Sequence, residues 1–390
     1  MQSRQLAAVE LRRSAMQSRK ASNLFSPWMG GLLPFLALVG LATALAAPVT
    51  ATDGERCDIT AGEWLYSPRH APQYTAESCK SLGRDFACQR NGRPDSEYLK
   101  YIWRSFGCRI ADFKPLSFLT LMRNKVFLIV GDSLTMNLFS SLQCLVETVT
   151  LTQDLKGPLF PGGPETRGII APAFNATFLR HPSSFLTNSK PDGEKSSAST
   201  WTVHLDEVHP DWSPLLQYSH YVLFGTGTWY TMADLKKRRY MLNNTLQPEM
   251  DRIVTMQIAI NTVIKFTRSL NYTGMPMFLT FTPMHYHVKL NESMQDANCS
   301  VIQQPLTVQQ IANMEWAVDA VGTRKAQLKV FQHALEFKII DITTLSLYRA
   351  DGHLQSYFDI KGGIDCLHWC IPGVPDTWAN IIYSYMMGYL

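Results

Sequence analysis

Three residues of this chain have the types needed for nucleophilic acyl chemistry: Ser133, Asp365 and His368. A serine hydroxyl becomes a useful nucleophile when an imidazole accepts its proton, and a carboxylate on the other ring nitrogen orients that imidazole. Asp365 and His368 are three residues apart in a predicted C-terminal loop, so their side chains can lie on one side of a turn. The alternative for this stretch is an Asp that caps a helix beside a His at the edge of the core.

The stretch from Lys125 to Val149 is predicted to position the serine. Val126 to Val130 is a short apolar run bounded by Gly131, which is typical of a buried parallel strand, and apolar residues at helical spacing follow over residues 134–149. Ser133 should therefore lie between the carboxyl end of a strand and the amino end of a helix. Open α/β sheets bind ligands there, and free N–H groups favour negative charge. Because Gly-Asp-Ser is also an ordinary turn, the interpretation depends on this context.

Strands and helices alternate along the rest of the chain. Residues 183–200 are rich in Ser, Lys, Asp and Gly and predict an exposed loop. The alternation predicts an α/β fold with a mainly parallel sheet covered on both faces. Further strands are predicted at 169–180, 201–205, 221–224, 277–281 and 338–342, and helices at 246–268 and 309–337.

A second predicted strand ends in Gly225-Thr226-Gly227-Thr228, where N–H groups could complete an oxyanion hole with that of Ser133. A tight turn is the alternative, and the lysine and spacing of a phosphate loop are absent. The candidates for oxyanion or substrate contacts are Gly131, Asp132, Asn137, Gly225 and Gly227.

Two histidines follow the next predicted strand. We expect His285 and His287, in the stretch TPMHYH, to be loop residues near the cleft. A metal role would need further ligands, and none is evident nearby in the sequence.

The first 49 residues are predicted to form a cytosolic tail followed by a membrane anchor. Residues 1–26 carry five basic residues and one acidic residue, which accounts for the whole net charge of +4 and leaves no basic nucleic-acid-binding face. Residues 27–49 are uncharged and long enough to span a bilayer, and the basic flank places the tail in the cytosol. A signal peptide cleaved near Ala44-Leu45-Ala46 is the alternative. Either way, residues 50–390 should enter the secretory pathway.

Cysteines and glycosylation sequons agree with that location. The chain has eight cysteines, all beyond the anchor, and an even count in an oxidising compartment predicts four disulfides. A zinc site built on Cys366, His368 and Cys370 is the alternative, but no paired CxxC motif supports it, and we predict no metal site. The sequons begin at Asn175, Asn243, Asn271, Asn291 and Asn298.

The chain divides into four predicted segments. Residues 1–26 are a cytosolic tail, 27–49 the anchor, 50–112 a short stem and cysteine-rich lobe, and 113–390 the catalytic domain. Aromatic stretches of the lobe, such as Trp64-Leu65-Tyr66, could contact sugar, but more often such residues fill a small core.

Several long stretches resemble the plant trichome birefringence-like family, Golgi polysaccharide O-acetyltransferases of the PC-esterase group. The resemblance runs from residue 56 to 383. It is carried by RCDITAGEWLYSP, FACQRNGRPDSEYLKYIWRSFGC, FLIVGDSLTMN, HLDEVHPDW, FTPMHY, DITTLSLYRADGH and DCLHWCIPGVPDTWANIIY.

The resemblance implies an SGNH-like α/β/α sandwich with a small cysteine-rich lobe. It implies Ser133 as nucleophile, His368 as base and Asp365 as the acid that orients it. It implies the disulfides Cys57–Cys108, Cys79–Cys144, Cys88–Cys370 and Cys299–Cys366.

The resemblance also implies transfer of acetyl groups to hydroxyls of a wall polysaccharide such as xyloglucan, xylan, mannan or pectin. The chain would be a single-pass type II Golgi protein with its catalytic domain in the lumen. No cofactor would be bound, and an acetyl donor, with acetyl-CoA as the candidate, would be consumed. A polysaccharide acetylesterase and a non-catalytic polysaccharide-binding protein are the alternatives.

The sequence departs from the family pattern at three places. Relatives usually carry Arg at the positions of Met136 and Leu279, and often a Gly-His-Trp run where Gly227-Thr228-Trp229 stands, whereas Asn137 matches. Loss of these groups should weaken stabilisation of an oxyanion or change substrate contacts, and one lost donor can cost about a hundredfold in rate.

Overall fold

The computed structural model describes residues 57–155, 163–193, 200–231, 238–288, 297–312, 314–358 and 363–390. The predicted tail, anchor and stem, and the sequon at Asn291, lie outside these ranges. Among the described residues, no helix combines the length and apolar character needed to cross a bilayer.

Short strands and helices alternate through the described ranges. The strands are β1 (Gly62–Tyr66), β2 (Tyr101–Ser105), β3 (Val126–Gly131), β4 (Gln153–Asp154), β5 (Arg167–Ala171), β6 (Ala176–Pro182), β7 (Thr187–Pro191), β8 (Trp201–Val208), β9 (Tyr221–Gly225), β10 (Arg238–Leu242), β11 (Thr245–Gln247), β12 (Met275–Leu279), β13 (Lys338–Ile340), β14 (His353–Gln355) and β15 (Asp365–Trp369). The α-helices are α1 (Pro115–Leu121), α2 (Ser133–Glu147), α3 (Thr228–Thr231), α4 (Arg252–Ser269), α5 (Val308–Ala312), α6 (Glu315–Phe331), α7 (Thr343–Leu347) and α8 (Val374–Met386).

The central sheet has the strand order β13-β12-β9-β3-β6-β5-β4. The strands from β13 to β6 are parallel, whereas β5 and β4 pair antiparallel at one edge. The predicted α/β fold with a mainly parallel sheet is therefore confirmed. β3 is the middle strand, which explains its unbroken apolar run: both of its faces are covered, so every position from Phe127 to Val130 is buried.

Two hydrophobic cores lie on opposite faces of this sheet. Phe127 and Ile129 of β3 point into the core that α2 and α8 complete. Leu128 and Val130 point into the core that α4 and α6 complete. Successive side chains alternate between faces as the pleat requires, and the layers form an α/β/α sandwich.

The prediction of a single strand at 169–180 is wrong, because the structure has two antiparallel strands there, β5 and β6, which form a hairpin. Pro172–Phe174 form one 3-10 turn, and Asn175 takes a left-handed conformation with φ of 49°, which Asn tolerates better than most residues.

The exposed loop predicted at 183–200 is also wrong where the structure describes it. Phe185 and Leu186 are fully buried, and β7 pairs with β8 in a second sheet of order β11-β10-β8-β7.

Two predicted helices have different bounds in the structure. The helix predicted at 246–268 begins at Arg252, because the Asp251 side chain accepts the N–H groups of Ile253 and Val254, and residues 245–247 form β11 instead. The helix predicted at 309–337 divides into α5 and α6 and ends at Phe331.

The cysteine-rich lobe is built on the antiparallel strands β1 and β2 and packs in the core that α2 and α8 complete. Trp103 and Tyr98 are buried in that core, whereas Tyr66 is exposed, so the aromatics of the lobe serve mostly as core. The disulfides are the four pairs that the resemblance implies: Cys57–Cys108, Cys79–Cys144, Cys88–Cys370 and Cys299–Cys366. Because Cys366 and Cys370 are both bonded to other cysteines, the alternative zinc site is excluded.

Candidate active site

Ser133 lies where β3 ends and α2 begins, as predicted. Asp132 is the N-cap of α2, and its Oδ1 accepts the N–H of Leu134 at 3.1 Å. Gly131 has no room for a side chain, because a Cβ there would lie 2.1 Å from the carbonyl oxygen of Gly225 on β9. This close approach of β3 and β9 fixes the turn that presents the serine.

Ser133, His368 and Asp365 form a continuous hydrogen-bonded chain. His368 Nε2 is 2.7 Å from Ser133 Oγ, and His368 Nδ1 is 2.7 Å from Asp365 Oδ2. A carboxylate can only accept, so Nδ1 carries the proton and Nε2 is free to accept the hydroxyl proton of Ser133. The two residues that are 235 positions apart in sequence thus meet in the geometry of a serine nucleophile with its base.

The Asp365 carboxylate is held in its ionised form. Burial raises its pKa, but hydrogen bonds from the His368 ring and from the N–H groups of His368 and Leu367 outweigh burial and lower it to about 2. The same N–H bonds, both 2.8 Å to Oδ1, fix the carboxylate orientation. These residues were predicted in a loop, but they form β15, which pairs with β14.

Asn137 has a different task from the one predicted. Its side chain is fully buried, donates to the C=O of Trp369 at 3.0 Å and accepts the N–H of Trp369 at 3.2 Å. Asn137 therefore ties α2, which carries Ser133, to the residue that follows His368. It is a positioning residue rather than a substrate contact.

A buried histidine pair supports His368 from the other side. His353 Nδ1 contacts the C=O of His368 at 2.9 Å, and His353 Nε2 contacts His285 Nδ1 at 2.7 Å. The His353 ring also stacks on Trp369, with 3.9 Å between ring centroids. His285 and His287 both lie in the loop that follows β12, as predicted; His285 is buried, whereas His287 is exposed. Sequence reasoning missed His353, although it stands in the quoted stretch DITTLSLYRADGH.

The remaining candidates lie at the neighbouring strand end. The C=O of Gly225 accepts the N–H of Asp132 at 3.3 Å, and Gly227, with φ of 148°, accepts the N–H groups of Tyr230 and Thr231 at the start of α3. Gly227 must be glycine, since a Cβ would lie 2.8 Å from Phe281. Their contribution to an oxyanion hole stays a prediction.

Met136 and Leu279, where the family resemblance implies Arg in relatives, are apolar here and pack in the core that α2 and α8 complete. Met136 is partly buried, and Leu279 is buried at the end of β12. A cation that sequence reasoning missed lies nearby on β6: Arg180, 9% exposed, whose Nε has no hydrogen-bond partner. Burial lowers the pKa of Arg180 to about 10, and its charge acts on Asp132.

Comparison with known proteins agrees with this geometry. Residues 110–385 match the PC-Esterase family, described as a GDSL/SGNH-like acyl-esterase family found in Pmr5 and Cas1p, and residues 55–109 match the PMR5 N terminal Domain. Protein trichome birefringence-like 40 of Arabidopsis thaliana is 30% identical over 344 residues, which cover 85% of this chain and 88% of that protein.

A second relative has a name that states an activity. Xylan O-acetyltransferase 6 of Oryza sativa subsp. japonica is 28% identical over 372 residues, 88% of this chain and 64% of that protein. The chain belongs to the PC-esterase family and, within it, to the trichome birefringence-like proteins.

Proposed function

We propose that this chain is an O-acetyltransferase that moves an acetyl group, through an acetyl-Ser133 intermediate, to a hydroxyl of a plant cell-wall polysaccharide. The observation that carries the proposal is the chain of 2.7 Å contacts from Ser133 through His368 to Asp365. Relatives named xylan O-acetyltransferase support transfer to a polysaccharide. Hemicelluloses such as xyloglucan, xylan and mannan are the acceptors to test first.

The first half-reaction acylates the serine. His368 Nε2 takes the hydroxyl proton while Ser133 Oγ attacks the acetyl carbonyl, and the negative charge of the tetrahedral intermediate lies beside the N-terminus of α2. Asp365 stabilises the imidazolium that forms. Collapse of the intermediate releases the donor's leaving group, which receives the proton from His368.

The second half-reaction returns the enzyme to its starting state. An acceptor hydroxyl gives its proton to His368 Nε2 and attacks the acetyl-serine carbonyl. The ester bond to Ser133 breaks, and the serine oxygen regains a proton from His368. Water is also a hydroxyl, so hydrolysis by the same steps would make the chain an acetylesterase.

The surroundings of the reaction are also proposals. The donor is a soluble acetyl thioester such as acetyl-CoA, consumed rather than retained. The catalytic domain faces the Golgi lumen behind a type II anchor at residues 27–49. Four disulfides, with no free cysteine among the described residues, support an oxidising compartment. Asn175, Asn243 and Asn271 are exposed, as glycosylation at these sequons would require.

The test uses the full-length chain with acetyl-CoA and a panel of xyloglucan, xylan and mannan oligosaccharides. Mass spectrometry measures acetylated oligosaccharide, and a parallel assay measures free acetate. We expect one oligosaccharide class to gain acetyl groups faster than acetate appears, and Ser133→Ala to abolish the gain.

Two outcomes would replace the proposal with an alternative. Acetate release without acetylated product from any acceptor would identify an acetylesterase. Oligosaccharide binding that survives Ser133→Ala, together with no turnover of any acetyl ester, would identify a non-catalytic binding protein. Ser269→Ala is the matched control for Ser133→Ala, because Ser269 lies at an exposed helix end. Ser141→Ala is unsuitable as a control because Ser141 contacts Asp376.

A further inference from the structure

Two histidines and one aspartate converge outside the Ser133 site. His181, His209 and Asp211 each offer one ligand atom, and these three atoms lie within 4.8 Å of one another. His181 is 1% exposed, whereas His209 and Asp211 are partly exposed. The acyl-transfer steps use none of these side chains.

The cluster lies at the same edge of the central sheet as the serine. His181 is on β6 in register with Val130 of β3, near the carboxyl ends of both strands. Two residues later, the N–H of Ser183 donates to the C=O of Gly131 at 2.8 Å. The cluster therefore borders the turn that carries the proposed nucleophile.

The loop that carries His209 and Asp211 is held in place by one carbonyl. The C=O of Leu186 accepts the N–H of His209 at 3.4 Å and the indole N–H of the buried Trp212 at 2.9 Å. Leu186 itself has φ of 63°, a conformation that a bulky residue rarely adopts. Strained backbone of this kind is concentrated at functional sites, and here it aims the carbonyl at the loop.

Both imidazoles have lone pairs that suit a cation. Thr166 Oγ1 is 2.9 Å from His181 Nδ1, and this contact orients the ring. With the proton on Nδ1, the hydroxyl accepts it and Nε2 has a lone pair for a cation. His209 Nδ1 accepts the N–H of Asp211 at 3.2 Å, so this nitrogen is unprotonated, and a cation at Nδ1 would replace that bond.

We propose that His181, His209 and Asp211 bind one divalent transition-metal cation, for which Zn²⁺ is the best match. Two imidazole nitrogens and one carboxylate oxygen are a common zinc set that leaves a fourth position for water, whereas Ca²⁺ and Mg²⁺ prefer oxygen ligands. Ligands about 2.0–2.2 Å from tetrahedral zinc are about 3.4 Å apart. Binding therefore draws the partly exposed His209 and Asp211 toward the buried His181.

This site could not be predicted from the sequence. His181 and His209 are 28 residues apart, and only the packing of β6 against the loop after β8 brings them together. Gly163 packs against Asp211, and a Cβ at this position would lie 2.3 Å from the Asp211 carboxylate.

The experiment measures zinc uptake by the purified full-length chain after treatment with a chelator. Equilibrium dialysis against Zn²⁺ alone should give one equivalent per chain. Asp211→Asn, which keeps the side-chain shape, should weaken binding by about tenfold or more, and so should His181→Gln. Co²⁺ in place of Zn²⁺ should give visible absorption bands that both variants lose.

His204→Ala is the matched control, because His204 lies on the adjoining strand β8 and outside the cluster. It should bind zinc as the wild-type chain does. Thermal unfolding in the presence of chelator shows which variants fold. If His181→Gln does not fold, Asp211→Asn alone is enough for the test. No saturable uptake by the wild-type chain, or uptake unchanged in Asp211→Asn, overturns the proposal.

Discussion

At the scale of single residues, the candidate site depends on which ring nitrogen of His368 carries a proton. Asp365 can only accept, so it fixes the proton on Nδ1 and leaves Nε2 as the base toward Ser133. Despite burial, the His368 ring and two N–H groups lower the pKa of Asp365 to about 2, so Asp365 is a carboxylate near neutral pH. The acid therefore acts by orientation and charge, without taking up the proton itself.

Asp365→Asn tests this role. The amide N–H₂ would face Nδ1 and favour the tautomer with its proton on Nε2, which cannot accept from Ser133. We expect kcat to fall by about ten-thousandfold. Steady-state kinetics measure it, with Asp319→Asn, which breaks a surface ion pair with Arg252, as the control. A loss smaller than about tenfold would show that the tautomer is set by another group.

Asp132 should make the stability of the folded chain depend on pH. Burial, only partly offset by the Leu134 N–H, His368 and Arg180, raises the pKa of Asp132 from 3.8 to about 6. Between these values the folded chain holds a proton that the unfolded chain has lost. The free energy of unfolding should therefore fall as pH rises through this window, by about 3 kcal/mol.

Asp132→Asn should remove that dependence while keeping the helix cap, because Asn is also a good N-cap. Denaturant unfolding at several pH values between about 4 and 7 measures the difference between the wild type and the variant. The wild-type chain should lose stability relative to Asp132→Asn as pH rises. Parallel curves for the two proteins would mean that Asp132 titrates normally.

The candidate catalytic residues were easier to predict from the sequence than the residues that surround and position them. Ser133 was identified because an apolar run followed by helical spacing specifies a strand-to-helix turn locally. Asn137 and Arg180 could not be assigned, because the partner of Asn137 lies 232 residues away and the burial of Arg180 depends on how β6 packs.

At the scale of elements, β15 must hold His368 against the helix that carries Ser133. Disulfides flank the strand on both sides of His368: Cys366 is bonded to Cys299, and Cys370 to Cys88. Small displacements of a base cost much rate, so a strand fixed at both ends suits catalysis.

Removal of the Cys299–Cys366 bond by double substitution to Ala should lower both stability and kcat. The Cys57–Cys108 bond is the matched control, since the two bonds span 67 and 51 residues and each loss should cost roughly 2–5 kcal/mol of unfolding free energy. Only the first should lower kcat at a temperature where both variants are folded. Equal kcat losses would show that the bond near His368 has no special positioning role.

Elements were predictable where the local pattern was unambiguous. The β3 run is apolar at every position, and its type and bounds agree with the structure to within one residue. The β5–β6 hairpin was misassigned because a single left-handed Asn divides it. β7 was missed because polar residues surround Phe185 and Leu186, which are buried just before the strand begins.

At the scale of the whole molecule, the cysteine-rich lobe and the catalytic domain share one core. Cys79–Cys144 and Cys88–Cys370 cross between them. The Tyr74 hydroxyl of the lobe donates to Asp376 of α8 at 2.6 Å. Lobe residues and residues of α2 and α8 belong to the same hydrophobic cluster, which predicts a single cooperative unit.

Tyr74→Phe tests that unity. Denaturant unfolding should show one transition by both fluorescence and circular dichroism. The free energy of unfolding should be about 1–3 kcal/mol lower in the variant, because the buried Asp376 loses a hydrogen-bond donor. Tyr66→Phe, whose exposed hydroxyl contacts Glu97 within the lobe, should change it little. Two separate transitions, or a shift seen by one probe alone, would mean that the lobe unfolds independently.

The most direct test of the central claim is mass spectrometry of the chain after brief exposure to acetyl-CoA without acceptor. We predict one added acetyl group on the peptide that contains Ser133, absent in His368→Ala and lost when the acceptor oligosaccharide is supplied. An acetyl group on a different residue, or full transfer activity in Ser133→Ala, would contradict the account.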